Sequence, residues 1–144
     1  SPQGTSSLYS SESLLITADK PISGASYADS NGLNAAPFVP TNLLKRVYAV
    51  NVATEWLAFA SLQSGTIDQY APGDTIGVST PTATLTFVRS GSNTDAPYRV
   101  RTANIAAGTR FVSTVPAAAW YEPNSDTGGA DDDETVLLGT DYIE

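Results

Sequence analysis

The chain has 144 residues, is 41% hydrophobic and only 15% charged, carries a formal net charge of -8, and contains no histidine, cysteine or methionine. Those absences exclude an imidazole base or zinc ligand, a thiolate nucleophile and a disulfide, so no cofactor or metal ligand set is expected. The acidic balance repels phosphate and no apolar run is long enough to cross a bilayer as a helix, so neither a nucleic-acid nor a membrane partner is expected.

In chain order, residues 1–13 are Ser-rich and polar and predict an extended N-terminal arm with no signal-peptide pattern. Leu14 to Ala18 is a short apolar run that predicts a first strand, stopped at Pro21. Residues 21–42 are rich in Pro, Gly, Asn and Ser, and predict a long loop with turns at Asn31-Gly32 and near Pro37 and Pro40.

The stretch from Leu43 to Leu62 is the most apolar. Asn42 can cap a helix in which Leu43, Leu44, Val47 and Val50 share a face. Val47, Val50, Val52, Tyr48, Trp56 and Phe59 favour instead two strands, 44–52 and 55–62, and the region is apolar on both faces, which suggests a central or interface-covered strand. Pro72-Gly73 predicts a type II turn, followed by a short strand from Thr75 to Val78. Thr82 to Val88 alternates, with Ala83, Leu85 and Phe87 on one face and threonines on the other. Tyr98 to Thr102 alternates too, Arg99 and Arg101 pointing out. Thr109 to Val115 predicts a strand stopped by Pro116. Ala117 to Tyr121 reads as a helical turn or a bulged strand, and Thr135 to Gly139 as the last strand. Short strands at this spacing predict a single all-β domain from residue 14 to 144, a small β-sandwich or β-barrel.

Charge is segregated along the chain. Residues 1–121 hold all seven Lys and Arg and seven of the acids, whereas residues 122–144 hold the other eight acids and no base. A solvated acidic segment beside ordinary surface arginines is the favoured reading; the alternative is that the acidic C-terminal segment of one copy meets the arginine-bearing strands of another and sets their orientation. A calcium ion at residues 126–134 is a lesser reading, since their spacing is not that of an EF-hand.

No nucleophile-elbow, phosphate-loop or dinucleotide motif occurs. A carboxylate pair can hydrolyse a glycoside without histidine, and Glu55 beside Trp56 is the pair of residues closest to that chemistry. No spacing marks two carboxylates as partners, so no enzyme is expected. Trp56, Phe59, Trp120 and Tyr121 fit either a sugar platform or, with more weight, core and subunit-interface anchors.

The segment Tyr70-Ala71-Pro72-Gly73-Asp74-Thr75-Ile76-Gly77-Val78, in a small Thr/Ala/Ser-rich chain without cysteine, resembles the Gly-rich turn and Gly-Val strand of tailed-phage capsid decoration, or cement, proteins. That resemblance implies a virion structural protein. It would form a homo-oligomer, a trimer by preference, be made in the host cytoplasm, and sit on the outer capsid surface against a major capsid protein or another virion protein. It also implies that the arm adds a strand to the shell. A tail-tube or small capsid subunit is a near variant, and an adhesive, carbohydrate-binding β-sandwich is the alternative class. The expected contact residues are Pro2, Leu8 and Tyr9 in the arm, and Trp56, Phe59, Arg99, Arg101, Trp120 and Tyr121 in the body.

Overall fold

The computed structural model describes residues 15–29, 33–89, 97–123 and 135–141. The strands in chain order are β1 (Ala25–Asp29), β2 (Leu33–Pro37), β3 (Lys45–Ala49), β4 (Thr54–Ser61), β5 (Thr66–Tyr70), β6 (Ala83–Thr86), β7 (Val88–Arg89), β8 (Tyr98–Ile105), β9 (Arg110–Pro123) and β10 (Thr135–Leu137). Among the described residues the only helical element is a 3-10 turn at Thr41–Leu43. The β1–β2 hairpin stands apart, and the other eight strands form one antiparallel sheet that nearly closes into a barrel. The all-β expectation is met.

β9 organises that sheet. Its first residues lie between β3 and β5: Phe111 faces Tyr48 on one side and Gln69 on the other. Beyond Ala117 it lies between β4 and β10, where Ala119 faces Phe59 and Leu137. The change of partners occurs at Ser113–Pro116. There β3 slips register, from Lys45 opposite Ala117 to Val47 opposite Val112. Hydroxyls take over from the broken ladder. Ser113 Oγ donates to the Val115 carbonyl at 2.6 Å, Ser61 Oγ to the Pro116 carbonyl at 2.7 Å, and Thr66 N–H to Thr114 Oγ1 at 2.9 Å.

Closure of the sheet comes from Phe87. β6 pairs with β5; one residue later the same chain becomes β7 and pairs with β8. The pairings therefore run β5, β9, β4, β8, β7 and, through Phe87, back to β6 beside β5. Phe87 is 3% exposed, and its N–H donates to the Gly65 carbonyl at 2.9 Å.

The inward face carries Tyr48, Leu57, Phe59, Ile67, Phe111 and their neighbours. Phe59 sits at its centre, 5.3 Å from both the Tyr48 and Phe111 rings by centroid. Each such side chain contributes roughly 1.5–3 kcal/mol by leaving water.

Several expectations need correction. Residues 15–18 form no strand; they are exposed and have no ladder partner. The supposed loop 21–42 contains the β1–β2 hairpin, because its Pro- and Gly-rich ends flank two strands in register from Ala25 opposite Pro37 to Asp29 opposite Leu33. Asn31-Gly32 lies outside the described residues. The Pro72-Gly73 turn is as predicted: Gly73 has φ +88° and Asp74 N–H reaches the Ala71 carbonyl at 3.1 Å.

The strand expected at Thr75–Val78, which carried the family resemblance, is instead a second turn. Gly77 takes φ +82°, and the N–H groups of Val78 and Ser79 both reach the Thr75 carbonyl. Pro116 does not stop its strand, since it falls in the partner gap where no ladder N–H is required. Ala117 to Tyr121 continues that strand. The two strands expected within 44–62 are met as β3 and β4, with Leu43 closing the 3-10 turn before them. The arm 1–13 lies outside the described residues.

This packing makes two predictions. A Cβ at Gly65 would stand 2.6 Å from Thr114 Oγ1 and 3.0 Å from a Val115 methyl, inside the bend of β9. Gly65→Ala should therefore lower the urea midpoint, by about 1–3 kcal/mol of stability. An unchanged midpoint would mean that the bend tolerates the added group.

Tyr48 is 2% exposed, its hydroxyl donating to the Ala117 carbonyl with the Lys45 carbonyl at 3.2 Å. Burial pushes this hydroxyl from 10.0 up to about 12; the Lys45 carbonyl bond opposes the rise and the Asp141 charge adds to it. Below pH 10 the phenol is protonated in both states and its contribution to stability is complete. Between 10 and 12 the unfolded chain ionises first, so stability is lost as pH rises, by up to about 1.4 kcal/mol per unit. Denaturant midpoints taken through this window should fall less steeply in Tyr48→Phe than in wild type; identical slopes would refute the assignment.

Candidate functional site

Strand alternation sorts the expected contact residues onto two faces. On β4 the side chains of Leu57, Phe59 and Ser61 point inward, and those of Trp56, Ala58 and Ala60 outward. Antiparallel register then builds three rows across the outer face. Trp56 lies between Ala103 of β8 and Glu122 of β9. Ala58 lies between Arg101 and Trp120, and Ala60 between Arg99 and Ala118. Ala58 and Ala60 thus lie between two tryptophans and two arginines, while Ala118 is 5% exposed and lines a small cavity with Leu15, Val39 and Leu44.

Trp56 is held from two directions. Its Nε1–H donates to the Glu122 carboxylate, and the Arg101 guanidinium stands over its ring, 5.0 Å from the centroid. Glu122 is 8% exposed, so this bond forms largely out of water. Trp120 is diagonal to Trp56 across the β4–β9 ladder, at a spacing of about 7–8 Å. Its indole N–H reaches the Pro37 carbonyl at 3.4 Å, tying the β1–β2 hairpin to this face. Arg99 is half-buried, and its Nε is enclosed with no hydrogen-bond partner among the described residues.

Four of the expected contact residues therefore share one surface: Trp56, Arg99, Arg101 and Trp120. Phe59 is 1% exposed and belongs to the core, so it offers a partner nothing. Tyr121 points inward opposite Leu57 and packs against the core. Pro2, Leu8 and Tyr9 lie outside the described residues, as does the acidic run 126–134 considered for calcium.

The Glu55–Trp56 pairing changes partner. Glu55 is exposed at a register shift between Thr54 and Trp56, and the carboxylate that meets the indole is Glu122. Glu122 becomes legible once Ala118, Trp120 and Glu122 are counted as alternate residues of one strand; reading Pro116 as a stop hides that. Among the described residues no group of three or more Asp or Glu could hold a metal ion.

A second feature lies beside this face. The segment after β2 and the strand β10 enclose an apolar groove of about 400 Å³, lined by Phe38, Leu43, Val136 and Leu138 above Ala118 and Ala119. Leu138 is 85% exposed at its lip. The groove contains one charged group, Lys45, which is paired with Asp141 at 2.7 Å.

Glu122→Ala would strand the Trp56 N–H and uncover Trp56 to water. It should cost about 1–3 kcal/mol, read as a lower urea midpoint together with a red-shifted tryptophan emission. A variant with wild-type midpoint and emission would show that the pair does not hold the ring. No family model, no curated protein and no solved structure matches the chain.

Proposed function

We propose that this protein is a structural assembly subunit, a capsid decoration protein that stabilises a virion shell by protein–protein contact as a homo-oligomer. The observation that carries the reading is the outer face of β4, β8 and β9. Trp and Arg are the residues most enriched at binding hot spots, and here two of each lie around Ala58 and Ala60. Aromatic and guanidinium groups spread along a sheet face suit a protein partner, which covers many side chains at once. The mechanism is mechanical: the nearly closed sheet supplies rigidity, the outer face buries against neighbours, and symmetric copies supply avidity. The partner is a major capsid protein, and the arm 1–13 adds a second point of attachment.

The placement of Trp56 and Trp120 on one face favours a second reading, an adhesive sugar-binding module. Against it, Arg101 already covers a face of the Trp56 ring, and Glu122 occupies its N–H.

Light scattering coupled to size exclusion, then sedimentation with purified shells, separates the two. The assembly reading predicts an oligomer that co-sediments with shells, and a 1–13 deletion that folds normally yet binds them more weakly. A monomer whose tryptophan emission instead responds to added sugars would establish the adhesive reading.

A further inference from the structure

We propose that Arg99 and Arg101 form a seat for the acidic run Asp131-Asp132-Asp133-Glu134 of a second copy, joining copies head to tail. This inference rests on the reading of the protein as a self-contacting assembly subunit, and it names the contact.

The seat is built on β8. Two residues apart on one strand, the arginines project from the same face, about 6.6 Å from one another along the chain. The Arg101 guanidinium carbon stands over the Trp56 ring, 5.0 Å from its centroid, and that contact restrains the side chain. A guanidinium restrained in this way has less freedom to lose when a carboxylate binds its N–H groups. Arg99 adds a second, half-buried guanidinium to the same face. The one ion pair among the described residues is Lys45–Asp141, on β3 and the segment after β10, so no described carboxylate stands within ion-pair distance of either arginine. The nearby Glu122 is occupied with the Trp56 N–H.

The chain itself carries the complementary charge. Residues 1–121 sum to zero, and the entire net charge of -8 falls in residues 122–144, with four consecutive carboxylates at 131–134. A neutral body whose Arg99 and Arg101 have no ion-pair partner among the described residues matches a carboxylate-rich segment in sign. Donor and acceptor are different surfaces, so the contact is heterologous and closes into a ring or extends as a chain. Flanking Trp56 and Trp120 lower the local dielectric and strengthen the pairing.

Sedimentation equilibrium of the full chain tests this at low and high salt. Wild type should self-associate in about 0.05 M NaCl and weaken roughly tenfold or more in about 0.5 M. The variants R99E/R101E and D131K/D132K/D133K should each associate at least about tenfold more weakly alone, yet recover together when mixed in equal amounts. R99K/R101K, which keeps the charge and loses the fork, should fall between, and circular dichroism checks that every variant is folded. Association indifferent to salt and to all these variants would overturn the seat and leave the assembly reading standing. A wild-type monomer throughout would overturn both. A monomer whose Trp56 emission shifts equally in both charge-reversed variants would show instead that the acidic run folds back on its own copy.

Discussion

The bend in β9 at Ser113–Pro116 is the constraint on which the rest depends. A straight 14-residue strand has one neighbour on each side; this one has two on each, because its ladder breaks and restarts. The break would strand backbone groups inside the molecule, and that cost is offset by the hydroxyls of Ser61, Ser113 and Thr114. Pro116 suits the gap since it has no N–H to satisfy. The same bend brings β4 and β5 onto one side of β9 end to end, so the chain can return through Phe87 and bring the sheet near closure.

The outer surface is a consequence of the inner packing. Alternation obliges any strand with a dense inner face to display an equally regular outer one. Inside, Leu57 and Phe59 meet Phe111 and Tyr48. Outside, the positions between them carry alanines, with Trp56 and Trp120 at the margins. The outer residues between them are small, and the two half-buried indoles are held in place, one by Glu122 and Arg101 and the other by the Pro37 carbonyl. Rings fixed in this way lose little freedom when a partner covers them, which is the property of a contact anchor.

Much of this is legible in the sequence where a single local rule acts alone. The alternation of Thr82–Val88 and Tyr98–Thr102 places side chains on their correct faces, and Pro72-Gly73 announces its turn. The β-branched and aromatic content of Leu43–Leu62 outweighs its helical spacing. Where a tertiary partner decides, local rules fail. Pro116 reads as a terminator until the partner gap is known, and Gly77 supports either an extended or a turned backbone. The apolar run at 15–18 reads as a strand but has no neighbour to pair with. The outer surface is half visible: Arg99 and Arg101 by alternation, Trp56 and Trp120 by type. Phe59 reads wrongly as a contact residue because an aromatic gives no sign of which face it serves, and Glu122 is hidden behind the proline.

The central claim is that the outer face of β4, β8 and β9 is what other proteins cover. Hydroxyl-radical footprinting of dilute and of assembled protein tests it most directly, because indoles oxidise readily and both tryptophans of the chain stand on that face. The account predicts that Trp56 and Trp120 lose reactivity together on assembly, while Tyr70, at the far end of β5, does not change. Equal oxidation of both tryptophans in the two states, with protection confined to other surfaces, would contradict it.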